Sequence, residues 1–154
     1  KQKLVRYLTE TARSLGVERP KIACIAPSEQ LLPNVTSSVE AALIAKMSDR
    51  GQFGDVVIDG PLALDVALFR EVAEVKKLKG SLVAGDPDCL LFPNIDSANV
   101  FFKSATKLCG AELAGMVVGT KVPCVLTSRG DTKTSKLYSI ALACLSARQE
   151  RSDR

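Results

Sequence analysis

The feature that most constrains the fold is a regular alternation between short apolar runs and longer amphipathic segments. Apolar runs of strand length stand at 21–26, 55–59, 81–85, 89–93, 113–119 and 122–128. Between them, residues 1–15, 39–51, 62–78, 99–110 and 132–149 carry apolar residues at helical spacing. Strands that alternate with helices through short turns predict an α/β fold, a layered αβα domain with a largely parallel sheet.

Local signals set the expected ends of several elements. Gly16 and Gly51 follow the first two helices, where a C-terminal glycine is favoured. Ser37 and Ser38 are expected to cap the second helix, and Pro61 is expected at the first helical position of the third. At 154 residues and with no internal linker, the chain suits a globular domain with a real core.

Residue usage excludes several classes of function. The chain has no histidine, so it cannot build a Ser-His-Asp or Cys-His site, and we expect no metal site. Five cysteines lie far apart in apolar stretches, which predicts reduced, buried thiols. Tryptophan is absent and the net charge of +4 is scattered, which argues against nucleic-acid binding. No run is long enough to span a membrane and no signal peptide is visible, so we expect a cytoplasmic protein.

Polar side chains follow several of the predicted strands. In open α/β sheets, ligands bind beyond the carboxyl ends of the strands. The residues expected there are Asp59, Asp86, Asp88, Asn94, Thr127, Ser128 and Arg129.

The pair Ser128 and Arg129 allows two interpretations. A hydroxyl-rich turn before a helix N-terminus can bind a phosphate, with Arg129 as a bidentate donor. Alternatively, the turn only starts a helix: Asp131 or Thr132 caps it, Ser128 satisfies the turn, and Arg129 pairs with a carboxylate. Local physics leaves both open, and the capping turn is the commoner arrangement.

Three blocks of the sequence carry a family resemblance. They are KMSDRGQFGDVVIDGPLALDVA, VAGDPDCLLFPNIDSANVFFKS and VPCVLTSRGDTKTSKLYSIALA. In this order and spacing they resemble the phosphate acetyl/butyryl transferases, and the likeness runs from about residue 21 to 147, closer to the butyryl branch. Such enzymes interconvert acyl-CoA plus phosphate with acyl phosphate plus CoA, with neither metal nor cofactor. The resemblance therefore implies that acyl-CoA, acyl phosphate, CoA and phosphate are the substrates.

The same resemblance implies an architecture. The fold is expected to be similar to the second domain of isocitrate and isopropylmalate dehydrogenases. Residues 1–130 would form that domain, and residues 131–154 a C-terminal helix that packs on a first domain absent from this chain. The chain is thus expected to be an inactive fragment when alone. Members are expected to be homodimers or larger assemblies, without nucleic-acid or membrane partners.

Site residues also follow from the resemblance. Ser128 and Arg129 match the catalytic pair, and Asp131 is the nearest carboxylate in the motif and the candidate base, because Ser135 replaces the aspartate of the acetyl branch. The chain departs from the family at Ala98 and Thr134, where glycine and glutamate are usual. The implied substrate-binding residues are Thr127, Asp59, Asn99 and Lys103.

Two other functions stay open. A non-catalytic remnant or interaction module would keep the fold and an anion pocket. A dehydrogenase of similar fold is less favoured, because the sequence has no nicotinamide-binding fingerprint.

Overall fold

A computed structural model describes residues 1–78 and 80–152 of the chain. The elements, in order, are α1 (Gln2–Ser14), β1 (Lys21–Ile25), α2 (Thr36–Asp49), β2 (Val57–Leu62), α3 (Leu64–Leu68), α4 (Arg70–Val75), β3 (Cys89–Leu91), α5 (Ile95–Leu108) and α6 (Lys133–Ser152). The chain divides into two compact units. Unit 1 comprises Lys1–Arg13 and Val17–Ala98, and unit 2 comprises Ser14–Gly16 and the residues from Asn99 onward.

Unit 1 is built on a parallel sheet of three strands in the order β2-β1-β3. The central strand β1 is apolar at successive positions because both of its faces are covered. Ile22 and Cys24 pack with Val5 of α1 and with Ala41 and Ile44 of α2. The alternate residues of β1 pack on the other side with α3, α4 and the segment after them: this cluster contains Ala23, Ile25, Leu62, Val66, Ala67, Ala73, Val83 and Ala84. The prediction of an α/β layer fold with a parallel sheet is confirmed in this unit.

Strand β2 differs from its prediction because it begins later and continues through Gly60 and Pro61 to Leu62. Pro61 is therefore a strand residue, and the prediction that it starts a helix is wrong. A proline is tolerated here because β2 is an edge strand. Gly60 is required by close packing, since a Cβ at this position would lie 2.6 Å from the Cβ of Cys24 on β1.

The single helix predicted over 62–78 is wrong, because the structure has two short helices separated by Phe69. The backbone of Phe69 is extended, with φ −119° and ψ 114°. The Gly85 N–H donates to the carbonyl of Ala67 at 2.9 Å, so a distant turn takes a carbonyl that a continuous helix would use. This tertiary contact interrupts a sequence with unbroken helical periodicity.

The strand predicted at 81–85 is a turn. The Ser81 hydroxyl accepts hydrogen bonds from the N–H groups of Val83 (3.2 Å) and Ala84 (2.9 Å), which curls the backbone. The turn places Asp86 and Asp88 at the beginning of β1, where their carboxylates bond the side chain and the N–H of Lys21. The expectation that these aspartates lie beyond the carboxyl end of a strand is therefore wrong.

The strands predicted at 113–119 and 122–128 are also absent. Val117 and Cys124 form an isolated antiparallel bridge, with a 2.8 Å bond from the Val117 N–H to the Cys124 carbonyl. Val122 and Leu126 are 68% and 74% exposed, so burial does not stabilise an extended sheet here. In unit 2 the buried Ser139 of α6 instead accepts a hydrogen bond from the Gly115 N–H at 2.9 Å.

Two local predictions also fail. Helix α2 begins at Thr36 without a side-chain cap, and Ser38 lies inside it, where its hydroxyl bonds Leu32 and Gln30 in the preceding loop. The cysteines are free but not all buried: Cys24 is buried and Cys89 partly buried, whereas Cys109, Cys124 and Cys144 are exposed. The apolar neighbours of the cysteines in the sequence thus led to an overestimate of thiol burial in unit 2.

The helix predicted from 132 onward is confirmed as α6. The predicted division into residues 1–130 and 131–154 stays a prediction. The last two positions of the second segment, 153–154, lie outside the described residues. None of the described helices is long and apolar enough to cross a membrane.

Candidate functional site

The segment from Ser128 to Asp131 forms a closed turn directly before α6. The Ser128 N–H donates to Oδ2 of Asp131 at 2.6 Å, and the Asp131 N–H donates to the Ser128 carbonyl at 3.1 Å. Two hydrogen bonds in opposite directions therefore join the first and last residues of the turn. Arg129 and Gly130 occupy its middle, and both are exposed.

Thr132 connects this turn to α6 as the N-cap residue. Its Oγ1 accepts a 3.1 Å bond from the Ser135 N–H, and the two hydroxyls of Thr132 and Ser135 lie 3.0 Å apart. The capping interpretation is thus confirmed as far as Thr132. Its other element, an ion pair of Arg129 with a carboxylate, is absent among the described residues.

The side chains of Ser128 and Arg129 are available to a ligand. Within the part of the chain that is described, neither the Ser128 hydroxyl nor the Arg129 guanidinium has a hydrogen-bond partner. A guanidinium presents donors in a planar fork that matches two oxygens of a phosphate. The turn therefore offers a hydroxyl and a cation next to a helix N-terminus, where an anion is electrostatically favoured.

Three of the predicted substrate-binding residues also lie in unit 2. Thr127 is partly buried and directly precedes the turn. Asn99 and Lys103 are exposed on α5, and their spacing of four residues puts them on one face of the helix. The Lys103 ammonium lies 4.5 Å from the centroid of the Phe102 ring, a cation–π contact that leaves its N–H donors free to bind oxygen.

Asp59, the remaining predicted residue, belongs to unit 1 and lies within β2 instead of beyond its end. Its Oδ1 accepts the Gly60 N–H at 2.7 Å, and its Oδ2 accepts the Ser81 hydroxyl. Asp59 thus connects β2 to the turn that Ser81 forms. Sequence reasoning missed Ser81, because the apolar residues after it indicated a strand.

Unit 1 contains an open cavity of about 600 Å³ beside α4. Its polar lining consists of Arg70, Glu74 and Ser81, and the rest of the lining is Ala73, Val75, Leu78 and Ala84. Arg70 lies 3.7 Å from Asp86, so part of its charge is already balanced. The sequence did not indicate the cavity, since Ser81 and Ala84 line it from a turn where a strand was predicted.

Burial suppresses the ionisation of two thiols in unit 1. Burial raises the pKa of Cys24 to about 12, with a further contribution from the charge of Asp59. Burial also raises the pKa of Cys89 to about 11. Neither thiol is suited to act as a nucleophile near neutral pH. Among the described residues, no group of three or more Cys, Asp and Glu side chains is placed to hold a metal ion.

Comparison with known proteins identifies the family. Residues 4–144 match the family model described as phosphate acetyl/butaryl transferase. The chain belongs to this transferase family. It is 45% identical to the phosphate butyryltransferase of Clostridium acetobutylicum over 144 residues, which is 94% of this chain and 48% of that protein. It is 39% identical to the phosphate acetyltransferase of Thermotoga maritima over 144 residues, 94% of this chain and 49% of that protein.

A solved structure supports the same assignment. The branched-chain phosphotransacylase from Enterococcus faecalis V583 superimposes with a TM-score of 0.82 at 35% identity, covering 96% of this chain and 54% of that one. The predicted resemblance to the phosphate acetyl/butyryl transferases is therefore confirmed. The chain spans about half the length of the curated relatives that it matches.

Proposed function

We propose that the protein acts as a phosphate acyltransferase that interconverts acyl-CoA plus phosphate with acyl phosphate plus CoA, with a butyryl or acetyl group as the acyl chain. The observation that carries the proposal is the turn of Ser128 and Arg129 before α6, with both side chains unpartnered among the described residues. Membership of the family supplies the reaction. CoA and phosphate act as substrates, and the proposed reaction uses no cofactor.

The proposed roles follow from the chemistry of each side chain. Arg129 binds two phosphoryl oxygens through its fork, and the Ser128 hydroxyl stabilises the negative charge that develops on the acyl carbonyl oxygen. Thr127 adds a hydroxyl donor, while Asn99 and Lys103 present an amide and an ammonium from one face of α5. Asp59 can still accept a substrate donor, since each carboxylate oxygen has a second lone pair.

The reaction needs no covalent enzyme intermediate. In the direction of acyl-CoA synthesis, the CoA sulfur attacks the carbonyl carbon of the acyl phosphate and a C–S bond forms. The C–O bond to phosphate breaks, phosphate leaves, and the thiol proton passes to a base. In the reverse direction a phosphate oxygen attacks the thioester and CoA leaves. Holding both reactants in attack geometry is the main contribution expected from the protein.

We also propose the finer features of architecture and assembly. The fold is of the isocitrate and isopropylmalate dehydrogenase type, residues 1–130 form one domain, and the segment 131–154, which contains α6, packs on a further domain. The exposed apolar residues of α6, such as Leu137 at 63% and Ile140 at 54%, favour association into a homodimer or larger assembly. Five free cysteines are compatible with a cytoplasmic location. Light scattering at high protein concentration tests the assembly.

The test of the function measures CoA release from butyryl-CoA and acetyl-CoA with inorganic phosphate. The complete product of the gene that encodes this chain and the 154-residue chain alone are assayed side by side. We expect phosphate-dependent turnover by the complete product and negligible turnover by the chain alone, because one catalytic surface cannot hold both reactants. A complete product that binds phosphate without turnover would favour the non-catalytic module, and robust turnover by the chain alone would show that 154 residues suffice.

A further inference from the structure

One carboxylate oxygen of Asp131 is already engaged in the structure. Its Oδ2 accepts the Ser128 N–H at 2.6 Å, a short bond of the charge-assisted kind. The backbone N–H of Asp131 returns a bond to the Ser128 carbonyl at 3.1 Å. The carboxylate is thus directed at the backbone of its own turn.

This arrangement holds the backbone that carries the two proposed catalytic side chains. Both bonds of Asp131 end on the backbone of Ser128, and Arg129 follows in the middle of the same turn. The next residue, Thr132, is the N-cap of α6, a helix of 20 residues. Asp131 therefore links the backbone of Ser128 and Arg129 to the N-terminus of α6, which is a long and regular helix.

We propose that Asp131 is a positioning residue, which orients Ser128 and Arg129 by holding the Ser128 N–H, and that it is not the general base of the reaction. The inference rests on the proposed acyltransferase function. In place of Asp131, the proton of the CoA thiol goes to the phosphate that leaves the acyl carbon, because a phosphate dianion is itself a base near neutral pH. The charges and atoms of the transfer then balance without a carboxylate acceptor.

Two substitutions separate the two roles. In Asp131→Asn the amide oxygen can still accept the Ser128 N–H, but the side chain can no longer take up a proton. In Asp131→Ala the acceptor is lost as well. If Asp131 is a positioning residue, Asp131→Asn should keep kcat/KM within about tenfold of the unmodified protein. Asp131→Ala should lower kcat/KM by about 100-fold, as expected for a displaced catalytic group. If Asp131 is the general base, both variants should lose about 10²- to 10⁴-fold in kcat/KM.

The kinetic readout is kcat/KM for acyl phosphate and CoA as a function of pH, measured on the complete gene product. We expect Asp131→Asn to keep the shape of the pH profile, because Asp131 accepts no proton in the proposed mechanism. Asp88 provides a matched control, since its carboxylate likewise accepts a backbone N–H, that of Lys21 at 2.8 Å in unit 1. We expect Asp88→Ala to leave kcat/KM within about twofold, since surface substitutions outside the proposed site have small effects.

A second readout does not depend on activity. The Ser128 amide is observed by NMR in the same protein, and its hydrogen-exchange rate is measured. We expect protection in the unmodified protein and in Asp131→Asn, and faster exchange in Asp131→Ala, because only the last removes the acceptor. This result holds even if the unmodified protein transfers no acyl group, so failure of the proposed function is distinguishable. The proposal is overturned if Asp131→Asn is as inactive as Asp131→Ala while its Ser128 amide stays protected, or if the Ser128 amide exchanges equally fast in all three proteins.

Discussion

Units 1 and 2 use similar apolar stretches in opposite ways. In unit 1 the apolar run of β1 is buried on both faces, and Ile22 and Ala23 are completely inaccessible. In unit 2 the runs around Val122 and Leu126 are largely exposed and form no strand beyond one bridge. An apolar run therefore becomes a strand only when neighbouring elements cover it. Unit 1 therefore contains the buried sheet, and unit 2 carries the exposed turn with the proposed catalytic pair.

The largest effect is expected at Arg129 in unit 2. Arg129→Lys keeps the charge but replaces the planar fork by a single ammonium, so we expect kcat/KM to fall by about 10²- to 10³-fold with little change in stability. Arg19→Lys in unit 1 is the matched control, because Arg19 forms an exposed ion pair with Asp55. Steady-state kinetics on the complete gene product check both. Equal activities for the two variants would remove Arg129 from the site.

Core truncation should separate the units by stability. Ile22→Ala removes a fully buried side chain from the centre of the sheet, and we expect a loss of about 2–5 kcal/mol in the free energy of unfolding. Leu126→Ala, at a residue that is 74% exposed, should cost less than about 0.5 kcal/mol. Urea denaturation measures both values. A large loss for Leu126→Ala would mean that unit 2 has a core of its own.

Glycine substitutions sharpen the same contrast at closer range. An alanine at Gly60 would bring its Cβ to 2.6 Å from the Cβ of Cys24, so strands β1 and β2 must shift, at a cost of about 1–3 kcal/mol. Gly130 has open space around its Cα, and Gly130→Ala should leave stability within about 0.5 kcal/mol. Thermal unfolding of the two variants checks the difference. Similar melting temperatures would indicate that the contact between β1 and β2 adjusts freely.

The smallest effect is expected from the ionisation of Cys24. Burial raises its pKa from 9.0 to about 12, so the folded state holds the proton more tightly than the unfolded state. The resulting stability is complete below pH 9.0 and is lost as the pH rises towards 12. Between pH 8 and 10 we expect a decrease of about 1 kcal/mol from this thiol.

Cys24→Ala should remove that part of the decrease, whereas Cys144→Ala, at an exposed thiol, should not. Urea denaturation at a series of pH values measures the difference between the variants. Thiol labelling at pH 8 adds a direct check, because Cys144 should react rapidly and Cys24 only on unfolding. Rapid labelling of Cys24 in the folded protein would contradict its burial.

The sequence by itself determined the α/β class, the helices α1, α2, α5 and α6, the strands β1 and β3, and the family. The individual elements depend on information within one segment, such as an apolar period or a cap such as Thr132. The fold class and the family depend on the order of such segments and motifs along the chain. The residues of the candidate turn, Ser128 to Asp131, were also evident, because hydroxyl, cation and carboxylate follow one another before a helical pattern.

Only the tertiary structure decided where burial interrupts those local patterns. The Gly85 N–H donates to the carbonyl of Ala67, at the point where the predicted helix is interrupted. Strand β2 continues through Gly60, which packs closely against Cys24. The role of Asp131 likewise depends on which donor its carboxylate meets. These contacts join residues that are far apart in the chain, or they depend on the exact course of a turn. The spacing of residue types along the sequence specifies neither the partner nor the course.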